Sequence, residues 1–216
     1  PARSECLACH TTAVGWGAGF NTAQLNRTNN YAGVNANQID AFDRAGYFSN
    51  PVGDINSLTA LAHHTNTSAS LEFRVRSYLA ANCAQCHQPG GSGLGTFDTR
   101  IQTPTADAGI IDGFLREDGG DPLNRVIRPG DLARSMMLSR ISIRGPNQMP
   151  PLASSVVDSA GVSLLQTWIS SLAPAGDTEG DVSPRPTGNN SVTISDWVQV
   201  GRFAAGLDTA ADGIEF

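Results

Sequence analysis

The sequence predicts a mainly α protein in three parts: a loop-rich module over residues 1–67, a helical domain over 68–174 and a short tail over 175–216. Three observations carry this. Leu71, Val75, Tyr78 and Leu79 recur at helical spacing, with Arg74 and Arg76 on other faces. Asp158 stands where a cap belongs, ahead of Val162, Leu165, Trp168, Ile169 and Leu172 on one face, and Pro174 and Gly176 close the pattern. Residues 11–66, by contrast, are rich in Asn, Gly and Thr and carry scattered apolar anchors: Trp16, Phe20, Leu25, Tyr31, Ile39, Phe42, Tyr47 and Phe48. At 216 residues the chain fits one or two domains, and no apolar run approaches the length of a bilayer span.

In chain order the first element is Cys6-Leu7-Ala8-Cys9-His10, too near Pro1 for a helix to precede it. The same spelling returns as Cys83-Ala84-Gln85-Cys86-His87 at the end of the predicted helix, and the two copies use all four cysteines. Two thiols at this spacing let one turn of backbone form thioethers to both vinyl groups of a single porphyrin, while the adjoining histidine reaches the iron. This pattern attaches c-type haem. Zinc sites and thioredoxin-like pairs also use Cys-x-x-Cys, but neither requires a histidine directly after the second cysteine. Cys6, Cys9 and His10, and Cys83, Cys86 and His87, are therefore the expected attachment residues for two covalently bound haem c groups, with His10 and His87 on the irons. In the 1–67 module, aromatic side chains packed on a porphyrin would supply apolar burial that the thin core lacks.

His63-His64 are the only histidines outside the two motifs. One imidazole of this pair can fill the sixth position of the first iron. His63 is the choice, because Leu58, Leu61 and Ala62 form a short apolar pattern leading into it; His64 is the alternative. Adjacent side chains diverge by about 100° on a helix, so the two do not share one iron. Gln88-Pro89-Gly90-Gly91-Ser92-Gly93-Leu94-Gly95 follows His87 and reads as loop. No strand precedes it and no helix pattern follows, which excludes a dinucleotide fingerprint. Its glycines suit backbone lying close to a porphyrin, or an ordinary surface loop. Pro129-Gly130-Asp131 opens a short helix in which Met136 and Met137 read as packing residues. In Gln148-Met149-Pro150-Pro151-Leu152, paired prolines stiffen a loop that can present a thioether sulfur, making Met149 the expected sixth ligand of the second iron. Bis-histidine at one iron and histidine/methionine at the other makes them unequal, since methionine raises the potential within a tuning range on the order of 0.8 V.

A helix ending in Cys-x-x-Cys-His, a Met-Pro-Pro loop and a closing amphipathic helix resemble a class I cytochrome c domain, over roughly half the chain. More narrowly, Phe20-Asn21-Thr22-Ala23-Gln24-Leu25-Asn26-Arg27, Arg76-Ser77-Tyr78-Leu79-Ala80-Ala81-Asn82-Cys83 and the Met149 loop look like the dihaem cytochrome region of a group of bacterial proteins. Some of those carry it beside a pyrroloquinoline-quinone-type sugar dehydrogenase propeller. The resemblance implies export and electron transfer; dehydrogenase chemistry does not carry over, because no propeller is present.

Beyond Pro174 the composition shifts to Gly, Asp, Asn and Pro through Asn190, a linker, and Ser191 to Phe203 reads as the start of a helix. This stretch looks like half of a dockerin-type repeat. The likeness assigns Asp181, Asn189 and Asp196 as Ca2+ ligands, oxygen donors suiting that hard cation. The loop between Asp181 and Asp196 is longer than the ordinary pattern and holds two prolines, so a solvated Asn-rich turn is the competing reading. Such repeats come in pairs, and the end at Phe216 implies a missing partner half. A tail of this kind could join copies into a homo-oligomer or filament.

The net charge is −6 and the pI near 5.0, with no basic cluster, which excludes an extended nucleic-acid surface. Pro1 opens the chain without a methionine or an apolar signal segment, so the sequence reads as a processed product or a piece of something longer. Taken together these features predict a periplasmic or extracellular dihaem cytochrome that passes single electrons between redox-partner proteins and is not an enzyme, since both irons are six-coordinate. The alternatives are a structural subunit of a haem-stacked extracellular assembly and a dihaem peroxidase, which needs a vacant iron position.

Overall fold

Glycine and proline shape this architecture more than helix propensity does. In the computed structural model, which describes residues 2–173, ten glycines and five other residues (Trp16, Ala32, Asp112, Asn147 and Ala153) take left-handed φ values that interrupt helices, and the sequence holds 12 prolines. The helices are accordingly short: α1 (Arg3–Leu7), α2 (Thr22–Leu25), α3 (Gln38–Arg44), α4 (Leu71–Asn82), α5 (Met136–Ile141) and α6 (Ser159–Ser171). Only α4 and α6 exceed seven residues. The expected mainly α class, and with it the class I cytochrome c-like helical architecture, therefore does not hold. Turns, bridges and one hairpin carry most of the described backbone. The linker, the dockerin-like segment and Asp181, Asn189 and Asp196 lie outside the described residues. Up to Ser170 the chain is one compact unit, and no helix among the described residues is long and apolar enough to cross a membrane.

The two long helices sit where periodicity placed them. Ser70 caps α4 by accepting a bond from the Phe73 N–H at 3.1 Å, with Glu72 favourably placed in the first turn. Val75 and Leu79 are fully buried, and Arg76, expected on another face, is buried too. Its guanidinium donates to Arg100 O at 2.6 Å and Thr103 O at 2.7 Å, so the cation is held by a loop that needs a donor. Asp158 caps α6 through the Ala160 and Gly161 N–H groups, both at 3.1 Å. Leu164, Leu165, Trp168 and Ile169 are buried, while Val162 and Leu172 are only half-buried. Where α4 meets α6, the Tyr78 ring lies against Gly161 and leaves no room for a Cβ.

The stretch between the helices folds back on itself. Ile127 N–H donates to Ile110 O at 3.1 Å, Asp112 N–H to Ile127 O at 2.8 Å, and Gly130 N–H to Ile169 O at 3.0 Å, tying the loops to α6. Ile110, Val126 and Ile127 are buried, each aliphatic side chain contributing about 1.5–3 kcal/mol. The N-terminal region is held differently. A hairpin pairs β1 (Thr28–Tyr31) with β2 (Val34–Asn37) across Ala32 and Gly33, both with positive φ as a tight two-residue turn requires. Buried Asn26 donates to Leu58 O at 2.9 Å and Ile55 O at 3.2 Å and accepts from Asn37 Nδ2 at 2.7 Å, a polar hub in place of an apolar core. Ala62 N–H bonds Ser77 Oγ at 3.0 Å, which ties this region to α4.

Candidate functional site

Both Cys-x-x-Cys-His segments close the same turn. In the second, Cys86 N–H donates to Cys83 O at 3.0 Å and His87 N–H to Cys83 O at 2.9 Å; in the first, Cys9 N–H and His10 N–H donate to Cys6 O at 3.2 and 3.0 Å. Each turn extends a helix. The second continues α4, as expected, and the first continues α1, which begins only three residues into the chain and carries Cys6. One turn of this kind gathers two thiols and an imidazole on a short stretch of backbone.

Cys83, Cys86 and His87 line a cavity of about 390 Å³ together with Met149, Pro150 and Pro151 from the loop after α5. The Met-Pro-Pro segment thus faces the second motif. Met149 N–H donates to Arg140 O at 2.9 Å, and the Gln148 amide donates to Pro150 O at 2.8 Å and Ser154 O at 3.0 Å, so the loop is pinned on both sides of the methionine. The Met149–Pro150 peptide is cis. Met136 and Met137, read from sequence as packing, line the cavity as well. Sequence reasoning also missed Phe97, whose ring stacks on the His87 imidazole with centroids 4.3 Å apart. No motif spacing marks that residue, because a loop closure brings it there: Thr99 N–H bonds His87 O at 2.9 Å.

The environment of each expected ligand follows from these contacts. Burial, and then the positive charge of Arg140, holds the His87 imidazole below the ordinary histidine range, so it is neutral with a lone pair available. Its Nδ1 is buried and has no hydrogen-bond partner. Burial, with Cys86 adding to it, pushes the Cys83 thiol up to about 12. His10 is exposed and donates from Nδ1 to Trp16 O at 2.6 Å, which leaves Nε2 free as a ligand. Gly91 and Gly93 explain the glycine loop. A Cβ at Gly91 would collide with Cys86 O, and one at Gly93 would sit 2.7 Å from His87 Nδ1. These glycines let the chain wrap its own motif.

The two motifs also touch. Cys86 Sγ lies 3.8 Å from Cys9 Sγ and 3.6 Å from Ala8 O, the Ser92 hydroxyl donates to Ala8 O, and Cys9 lines the same cavity. Nothing in the spacing of the motifs announced this contact, which joins residues 77 apart in sequence. No protein-family model, curated protein or solved structure matches the chain. His63 and His64, by contrast, do not line the cavity. His64 borders a separate groove with Leu71, Arg74 and Leu164, and its carbonyl accepts from the Arg74 guanidinium at 2.9 Å, which sets the pair beside the first turn of α4. Thr65 approaches His63 Nδ1 with its hydroxyl at 2.8 Å and its N–H at 3.4 Å.

The residues present fit a haem c group at the second motif. A neutral histidine, two thiols in one turn, a methionine lining the same apolar cavity and a glycine cradle are each what such a group needs.

Proposed function

We propose that this chain is an exported dihaem c-type cytochrome that carries single electrons between redox-partner proteins. The observation that carries the reading is the shared turn: both Cys-x-x-Cys-His segments close with the same pair of backbone bonds, and one of them faces Met149 across an apolar cavity. Bound haem c would supply a one-electron iron couple at each motif. Cys83 and Cys86 would hold the second group as thioethers, with His87 and Met149 as axial ligands; Cys6, Cys9 and His10 would hold the first. Phe97, Val126, Met136, Met137 and Ile141 would give the second group an apolar surround. The 3.8 Å approach of Cys9 and Cys86 puts the two attachment turns in contact, which suits passage of an electron within one chain.

A redox-resolved absorption spectrum with a haem count on the purified chain tests the reading. Two haems per chain are expected, one lost in the Cys83→Ser/Cys86→Ser variant and the other in Cys6→Ser/Cys9→Ser. Met149→Leu should turn one low-spin iron high-spin. A chain that binds no haem, or whose low-spin spectrum is indifferent to Met149, contradicts it.

A further inference from the structure

The cavity beside the second motif is apolar, but its charged rim is lopsided. Arg116, Arg140 and Arg144 line it, and Glu117 is the one carboxylate among the described lining residues. The Arg144 guanidinium donates to Ile143 O at 2.6 Å and Val156 O at 2.7 Å, so it is spent on the chain. Arg116 is exposed. Arg140 is half-buried like Arg144, and both have an enclosed Nε without a hydrogen-bond partner, but no hydrogen bond or ion pair among the described residues engages the Arg140 guanidinium. A half-buried guanidinium with no acceptor among the described residues is free to pair with an incoming anion, and the apolar surround strengthens such a pair. α5 is short, and Arg140 lies in its last turn, where the helix dipole tolerates a cation but supplies no hydrogen-bond acceptor to Nε.

We infer that Arg140 is the carboxylate-recognition residue of this cavity, pairing with an acidic edge of the ligand that Cys83, Cys86 and His87 hold. This rests on the haem reading above, under which the partner is a propionate. The chemistry suits the residue: a guanidinium offers a planar fork of donors to a carboxylate, and the pair gains strength in an apolar surround. The same side chain ties the site together, because the Arg140 carbonyl accepts the Met149 N–H at 2.9 Å, so one residue fixes the thioether loop with its backbone and offers its side chain to the ligand. Arg140 is in this sense a positioning residue.

The test compares full-length holoprotein with Arg140→Gln and Arg140→Lys, reading haem content and the midpoint potential of the higher-potential haem. Removing the cation leaves a carboxylate uncompensated near the iron and favours the ferric state. Arg140→Gln should therefore shift the oxidised-to-reduced ratio about tenfold toward oxidised, equivalent to a fall of about 59 mV for a one-electron couple, and Arg140→Lys should recover most of it. If Arg140→Gln fails to retain haem while Arg140→Lys retains it, the assignment also stands. Wild-type chain with haem whose potential is unmoved in Arg140→Gln overturns the inference alone. So does equal loss in both variants, which would make the side chain a packing element. Wild-type chain without haem overturns the inference and the reading beneath it together.

Discussion

Replacing Gly93 by alanine asks whether the glycine loop is shaped by the second motif. Gly93 does not adopt a left-handed φ, so on backbone grounds an alanine there would stabilise the protein by about 0.4–1 kcal/mol through the unfolded chain. Contact reverses the sign. A Cβ would lie 2.7 Å from His87 Nδ1 and 2.9 Å from Cys86 O. Ordinary heavy-atom contacts fall near 3.5–4.0 Å, leaving a shortfall of about 0.8 Å at the imidazole. The ring has little freedom to give way, because Phe97 stacks on it at 4.3 Å, and Cys86 O is already bonded to Gly93 N–H at 3.0 Å. Overpacking of this kind costs about 1–3 kcal/mol, and set against the gain of about 0.4–1 kcal/mol it leaves a net destabilisation of up to about 2.6 kcal/mol. Gly19 is the control: it too avoids left-handed φ, and a Cβ there would meet nothing within 4 Å. Denaturant unfolding of the two variants beside wild type should rank Gly19→Ala at or above wild type and Gly93→Ala below it. A Gly93→Ala midpoint at or above wild type would refute the reasoning.

Arg76→Met keeps the aliphatic stem but strips the donors from Arg100 O and Thr103 O, and at about 1–3 kcal/mol for each unpaired carbonyl it should lower unfolding free energy by about 2–6 kcal/mol; a loss under about 1 kcal/mol would contradict the role given to the buried guanidinium. Burial first, then the nearby Asp158 carboxylate, pushes the Tyr78 phenol up to about 12. Because the folded value exceeds the unfolded one near 10, its contribution to stability is complete below about pH 10 and is lost as pH rises toward 12. Tyr78→Phe should flatten that part of the stability profile, and an unchanged slope would count against it.

What was legible in the sequence was local. A Cys-x-x-Cys-His segment needs only one turn to bring its groups together, so residue spacing alone marked where two thiols and an imidazole gather. Asp158 signalled the start of α6 because a cap is read within three residues. The fold class was misread because periodicity marks helices without showing how much chain lies between them, and here glycines at left-handed φ break that chain into turns. Contacts between distant residues were equally hidden. Arg76 looked like a solvated face until loop carbonyls arrived from residues 100 and 103, and Phe97 has no sequence mark tying it to His87. The surroundings of His63 were not legible either: Ala62 is held by Ser77 and the His64 carbonyl by Arg74, contacts that no local pattern reports. The meeting of Cys9 with Cys86 joins residues 77 apart, which no local pattern reports.

The claim that both Cys-x-x-Cys-His turns hold haem covalently is tested most directly on denatured chain, by alkylating free thiols and measuring intact mass alongside haem absorbance. The account predicts no alkylatable thiol and two haems retained on each unfolded chain. Four alkylatable thiols on a colourless chain, purified from cells able to attach haem c, would contradict it.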